Sequence, residues 1–173
     1  LNAYDLQVSA DEFACLREKV RINDKPFEAV MYDPSNIDVE HKGANGELMG
    51  AMEREIKTFF DLSNAPFSNM VLGEVLNRPA KWSSYPPHHH PQPEVYYYRF
   101  ARPAGFGACF IDDNVYKIKD GAVAAIPSGK THPQVTAPAF PMYYCWMIRH
   151  LPGNPWTDRV VDPRYTWIDA RMK

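Results

Sequence analysis

From Met70 onward the chain is a succession of short apolar runs interrupted by proline and glycine: Met70 to Leu76, Glu94 to Phe100, Gly107 to Ile111, Val115 to Lys119, Ala122 to Ile126, Gln134 to Thr136 and Pro141 to Arg149. Runs of this length with turn residues between them predict strands of an antiparallel sandwich or barrel, each burying one face. The chain before them reads differently. Ser9-Ala10-Asp11-Glu12 is a capping box, and Phe13, Leu16 and Val20 fall on one helical stripe, which predicts a short amphipathic helix over 10–20 lying as a lid against a barrel wall. Phe27 to Tyr32 predicts a strand ended by the turn cluster Asp33-Pro34-Ser35-Asn36. Lys42 to Gly50, with three glycines, predicts a flexible loop. Met52 to Phe60 satisfies both periods: Met52, Ile56 and Phe60 suit a helix, whereas Met52, Arg54, Ile56, Thr58 and Phe60 suit an alternating strand. The tail from Leu151 to Lys173 spaces prolines at 152, 155 and 163 around Trp156 and Trp167, a pattern that wraps a barrel rather than hanging from it.

The sequence of 173 residues suits one domain with a substantial core, and a net charge of −2 with 45% hydrophobic residues describes an ordinary soluble globule. There is no basic field for nucleic acid, no apolar run of membrane-spanning length, and no positive-then-apolar order of a secretory signal. The three cysteines, Cys15, Cys109 and Cys145, are odd in number and scattered, so they favour a reducing, cytoplasmic compartment and read as small core residues.

One stretch carries chemistry: Trp82-Ser83-Ser84-Tyr85-Pro86-Pro87-His88-His89-His90-Pro91-Gln92-Pro93-Glu94. In an extended backbone His88 and His90 leave the same face and reach one ion, while His89 points the other way. Two prolines before Glu94 turn the chain enough to bring a carboxylate to the same interior from a neighbouring strand. A third imidazole stands at His132, after the turn formed by Pro127 and Gly129. Three neutral imidazoles and one carboxylate make a mixed nitrogen and oxygen donor set suited to a divalent first-row metal. An exposed polar tract among prolines is the bland alternative for the histidine run, and the partner motif with its own histidine argues against it. His41 and His150 lack such a context and read as surface or capping residues.

Parity nominates the pocket. With Glu94 inward, Tyr96, Tyr98 and Phe100 face inward too, while Tyr97 and Arg99 face out, and the same rule from His132 turns Gln134 and Thr136 inward. Tyr96, Tyr98, Lys130 and Gln134 are the candidates for catalytic contacts. For both tyrosines a core role with the hydroxyl satisfied at the barrel mouth is an equal alternative, Arg99 reads as an ion-pair residue, and a turn lysine such as Lys130 is ordinarily just solvated.

The two stretches resemble the paired motifs of the cupins, His-x-His-x3-Glu and Gly-x5-Pro-x-Gly-x2-His, the second matched at Gly121, Pro127, Gly129 and His132. Trp82 to Pro87, Tyr96 to Arg99, His132-Pro133, Tyr143-Tyr144, Val71 to Val75, Trp156, Asp162-Pro163 and Trp167 narrow the resemblance to the 5-deoxy-glucuronate isomerase family of inositol catabolism, related to the 5-keto-4-deoxyuronate isomerases. That resemblance implies an all-β fold, a double-stranded β-helix or cupin jelly-roll barrel over 42–173, with 1–41 as a helix and strand extension, and it favours the strand over Met52 to Phe60. It implies one divalent ion on His88, His90, Glu94 and His132, zinc first, with manganese, iron or nickel as alternatives. The implied chemistry is aldose–ketose isomerisation of a deoxy-uronate, the metal holding the carbonyl and adjacent hydroxyl oxygens while an unassigned base moves a proton. A tyrosine, Lys130 and metal-bound hydroxide are the open candidates for that base. The same ligand set also suits an iron-dependent dioxygenase, and an altered pocket suits a non-catalytic sugar-binding module. A homodimer and a small sugar-acid substrate complete the expectation. Departures fall around the pocket: the family is a longer two-cupin chain, and Pro91, Thr131 and Trp146 stand where it carries other residue types.

Overall fold

A computed structural model of the chain describes residues 27–169. From Tyr32 the chain forms one compact unit, and the residues just before it, Phe27 to Met31, carry no regular structure. The strand expected over Phe27 to Tyr32 does not form: Phe27, Val30 and Met31 stay exposed, so the run gains no apolar burial that would hold it in a sheet. The turn that follows is present, with Asn36 N donating to Asp33 O at 3.0 Å and Ser35 N to Asp33 Oδ1 at 2.8 Å. The expected helix over 10–20 lies outside the described residues.

The fold is all-β, and the jelly-roll expectation is met. A six-stranded sheet takes β1 (Asp38–Lys42), β2 (Arg54–Phe60), β3 (Met70–Asn77), β6 (Glu94–Phe100), β9 (Val123–Ile126) and β11 (Met142–Arg149) in the order β1-β2-β3-β11-β6-β9. A four-stranded sheet takes β4 (Trp82–Ser83), β7 (Phe106–Ile111), β8 (Asn114–Lys119) and β10 (Gln134–Thr136) in the order β4-β10-β7-β8. A ribbon of β5 (His88–His89) and β12 (Val160–Val161) completes the set, and a single helical turn, α1 (Thr166–Asp169), ends the described chain. The named strand pairings are all antiparallel, and several of them, such as β3 with β11 and β11 with β6, join strands far apart in the chain, so the sheets are built by long connections as well as by turns.

Alternation explains which faces are buried. β6 runs buried and half-buried or exposed in strict alternation, with Glu94, Tyr96, Tyr98 and Phe100 inside and Arg99 outside, ion-paired to Asp120 at 2.9 Å. Its neighbour β11 sets Tyr144 opposite Tyr98, Trp146 opposite Tyr96 and Ile148 opposite Glu94, so the inward residues form rows across the sheet. The core gathers Val71, Val75, Tyr96, Tyr98, Cys109, Ile118, Ile126, Met142 and Tyr144 between the two sheets. Gly73 on β3 lies opposite Trp146, and a Cβ built there would meet the indole at 2.4 Å and the Lys57 carbonyl oxygen at 2.5 Å, so only glycine lets the ring lie flat across the sheet.

The run with two periods resolves as strand β2 from Arg54 to Phe60, with Met52 in the turn before it, and its ladder to β3 is broken by one bulge between Thr58 and Phe60. The segment 42–50 is more ordered than a flexible loop: β1 reaches Lys42, and a 3-10 turn spans Glu47–Gly50. β1 is polar, Asp-Val-Glu-His-Lys, because it is an edge strand with little to bury.

Candidate metal centre

The His-x-His stretch is held by the β5–β12 ribbon, where His88 pairs with Val161 and His89 with Val160. Extended backbone therefore sends His88 and His90 into the interior, both under 10% exposed, and leaves His89 half-buried on the other side. The corner Pro91-Gln92-Pro93 is pinned from outside, with Gln92 Nε2 donating to Asn154 O at 2.8 Å, Ser128 Oγ donating to Pro91 O, and Gly129 N donating to His90 O at 2.9 Å. Glu94 is then the first residue of β6, and His132 arrives from the turn in which Gly129 has a φ of 75°, a left-handed conformation that glycine adopts without strain.

The result is a compact cluster. One ligating atom each from His90, Glu94 and His132 lies within 4.8 Å of the others, and all three residues are buried. Glu94 Oε2 stands 3.2 Å from His90 Nε2 and 3.1 Å from His132 Nε2. His88 flanks the group, its ring centroid 4.8 Å from that of His132, without joining the three.

Each imidazole is oriented the same way. Nδ1 of His88 lies 2.9 Å from Pro86 O, Nδ1 of His90 is 2.9 Å from Gln92 O, and Nδ1 of His132 is 2.9 Å from Lys130 O. A carbonyl oxygen only accepts, so Nδ1 carries the proton in all three and the lone pair is left on Nε2. In the neutral rings the Nε2 lone pairs of His90 and His132 face the same carboxylate oxygen, whereas a proton or a bound cation on them turns the contact attractive, and His132 Nε2 is buried without a hydrogen-bond partner among the described residues. A divalent cation can take the place of such protons, so the residues present fit a metal, with the backbone carbonyls fixing the tautomers.

Electrostatics in the metal-free cluster follow from burial and mutual charge. Burial pushes His88 well below the ordinary imidazole range, helped by the neighbouring His132 and Arg159. Burial opposes ionisation of Glu94 as well, yet His132 and His90 outweigh it and hold the carboxyl low. His132 is raised for the reciprocal reason, the attraction of Glu94 overcoming the burial that lowers it. Burial, then the Glu94 charge, raises the Tyr96 hydroxyl well above its usual value.

The cluster opens into a cleft of about 670 Å³, counting the space open to solvent. Arg54, Ser84, Tyr96, Tyr144, Trp146, Trp156 and Arg159 line it together with His88, His90 and Glu94. Ser84 Oγ is 3.0 Å from Tyr96 Oη and 3.5 Å from Tyr144 Oη, a row of hydroxyls leading away from the imidazoles. Tyr96 is thus the sequence-nominated pocket residue that the cleft takes up. Tyr98 and Gln134 are buried below it, bonded to each other at 2.6 Å, and Gln134 Nε2 also donates to His132 O at 2.6 Å. Lys130 is exposed and paired with Asp112 at 2.7 Å, so its ammonium is held on the outer turn.

Sequence reasoning passed over Arg54, Ser84 and Arg159. Arg54 had a readable signal, the lone charge among the residues of inward parity, Arg54, Ile56, Thr58 and Phe60. Arg159 sits in the tail, where no periodicity assigns a face.

The KduI/IolB family profile matches residues 7–168 of this chain. A 5-deoxy-glucuronate isomerase from Geobacillus thermodenitrificans is 29% identical over 154 residues, covering 75% of this chain and 54% of the relative. The enzyme of the same name from Geobacillus kaustophilus is 28% identical over 154 residues, covering 75% and 53%. The chain thus spans about half the length of these relatives. Among solved structures, an IolB-like protein from Salmonella typhimurium superposes with a TM-score of 0.70 at 21% identity, covering 83% of this chain and 58% of that one. A cupin-2 domain protein from Rhodospirillum rubrum superposes with a TM-score of 0.52 at 15% identity, covering 86% and 90%. Both likenesses show the cupin fold.

Proposed function

The chain belongs to the KduI/IolB family, and from that premise we propose that it is a metal-dependent sugar-acid isomerase, interconverting the aldose and ketose forms of a deoxy-uronate such as 5-deoxy-glucuronate. The observation that carries this reading is the convergence of His90, Glu94 and His132, the first two of which line the cleft, with the imidazoles anchored through Nδ1 to backbone carbonyls. The names of the Geobacillus relatives support the substrate class. His88, His90, Glu94 and His132 would hold the ion, and zinc is the first assignment for such a donor set, with manganese, iron or nickel suited to the same ligands.

A divalent ion bound there supplies positive charge that polarises a sugar carbonyl oxygen. The chain supplies the remainder. Tyr96, kept protonated by burial and by Glu94, presents Oη–H as a donor to a substrate oxygen, and Ser84 Oγ orients it at 3.0 Å. Tyr144 extends the same row toward the sugar hydroxyls. Trp146 and Trp156, with ring centroids 6.1 Å apart, cover apolar carbon and keep water from the reacting carbons.

The test is to load the purified chain with zinc, add 5-deoxy-glucuronate and follow the aldose signal by NMR. Conversion to the ketose with retained mass supports the reading; an unchanged aldose over a stoichiometrically metal-loaded protein overturns it.

A further inference from the structure

Arg54 is an unusual side chain for this cleft. It lines the cavity yet is only 5% exposed, and no carboxylate lies within ion-pair distance of it among the described residues. Two of its donors are occupied by backbone oxygens, Nη1 to Met52 O at 2.9 Å and Nη2 to Tyr85 O at 3.4 Å. A guanidinium carries five N–H donors and does not give up its proton in a protein, so a buried one with donors to spare and no paired carboxylate suits an anion that enters the cleft.

Other groups in the cleft point to the same chemistry. Arg159 also lines it without an ion-pair partner among the described residues, near enough to Arg54 for the two charges to repel. Glu40, the acidic neighbour on β1, is committed to Lys42. The indole N–H groups of Trp146 and Trp156, again in the lining, are buried donors with no partner. Beside the imidazoles the cleft therefore presents donors and positive charge, which suit a ligand rich in acceptors.

We propose that Arg54 binds the carboxylate of the substrate, with Arg159 as a second guanidinium, so that a sugar acid is held by its anionic group at a place distinct from the His90, Glu94 and His132 cluster. Planar fork geometry suits a carboxylate, and the burial of Arg54 makes the pairing strong because little water competes for it. The neutral aldose or amide of the same size would leave the guanidinium buried and unpaired, which converts binding into selection for acids. The inference rests on the proposed isomerase reading in taking a sugar acid as the ligand.

Isothermal titration of the zinc-loaded protein with D-glucuronate and with neutral D-glucuronamide tests it without any variant. Wild type should bind the acid about tenfold or more tightly than the amide. Arg54→Gln should bring the two probes to equal affinity, Arg54→Lys should keep part of the preference, and Arg159→Gln should reduce it. Equal binding of the two probes by wild type, binding of neither, or an unchanged preference in folded Arg54→Gln overturns the inference. If Arg54→Gln does not fold, as judged by circular dichroism, the wild-type pair of probes and Arg54→Lys decide. A wild type that prefers glucuronate but converts no deoxy-uronate sinks the isomerase reading and leaves the carboxylate site standing.

Discussion

Tyr98 donates its hydroxyl hydrogen to Gln134 Oε1 at 2.6 Å, joining β6 of the six-stranded sheet to β10 of the four-stranded sheet in the barrel interior. Both side chains are fully buried, and Gln134 is fixed further by its bonds to His132 O and Cys109 Sγ. The pair is a brace beneath the imidazole cluster. Tyr98→Phe should therefore destabilise the fold by about 1–3 kcal/mol, the cost of leaving a buried amide oxygen without its donor. Urea unfolding reads the loss, and metal content at saturation should stay at one ion per chain; a variant as stable as wild type would show that the bond contributes nothing.

Gly73→Ala should be worse tolerated than any ordinary strand glycine. The added methyl meets the Trp146 ring at 2.4 Å and the Lys57 carbonyl oxygen at 2.5 Å, and the second contact is backbone, which has no rotamer to escape into. Overpacking of this kind costs about 1–3 kcal/mol. Thermal melting should fall accordingly, and Trp146→Phe in the Gly73→Ala background should recover only part of it, because the carbonyl contact persists.

The strands from β6 to β11 could be read from the chain because each has an alternating or apolar run bounded by proline or glycine, and the bounds fell within a residue of the observed ones. The edge strand β1 could not, since Asp-Val-Glu-His-Lys has no buried face to write a period into the sequence. The two-residue strands β4 and β12 escaped for another reason: they exist only through their partners, Trp82 with Val135 for example, and a pairing between residues far apart leaves no local signal. In the candidate site, the two motifs nominated His88, His90, Glu94 and His132, and the structure groups the last three of them, with His88 beside the group. The motifs did not reveal the Nδ1 anchors, which use backbone carbonyls, nor Arg54, whose significance depends on what is missing around it. Lys130 looked available because a sequence shows a turn lysine without showing Asp112 facing it.

Acid should loosen the tail at Asp162. Its side chain accepts from Arg164 N at 2.9 Å and is gripped by the Arg164 guanidinium at 2.8 Å, and these contacts hold its carboxyl below the usual range. A carboxyl lowered on folding contributes stability that is present above its unfolded pKa and is lost as pH falls through the folded value. Asp162 N also bonds Pro87 O at 3.0 Å, so the loss is felt next to His88. Asp162→Asn should melt earlier than wild type at pH 7 and at the same temperature near pH 2; a gap of equal size at both values would show that the charge is not responsible.

A second copy of the chain is the proposed partner. Val115 and Tyr116 on the edge strand β8 and Val123 on the edge strand β9 are all about half exposed, apolar surface at edges that a neighbouring barrel could cover. Light scattering across a concentration series should return twice the chain mass. Val115→Lys combined with Tyr116→Lys should return the monomer, whereas a wild type that stays monomeric at high concentration removes the dimer from the proposal.

Metal content separates His90 from His89, neighbours that the β5 backbone turns to opposite sides. His90 Nε2 stands 3.2 Å from Glu94 Oε2 with its other nitrogen anchored at Gln92 O, so His90→Ala removes a donor from the centre of the cluster. His89 is half-buried beside Val160 and takes no part in the three-residue group. Loss of one primary ligand should abolish stoichiometric zinc in elemental analysis, and with it the zinc-induced rise in melting temperature. Loss of His89 should leave both intact. Glu94→Gln adds the charge argument: it keeps the shape of the carboxylate but replaces one acceptor with a donor facing Nε2, so it should weaken zinc binding strongly while the metal-free fold survives. Equal zinc retention in His90→Ala and His89→Ala would place any metal elsewhere in the molecule, and the isomerase proposal would lose the site on which it stands.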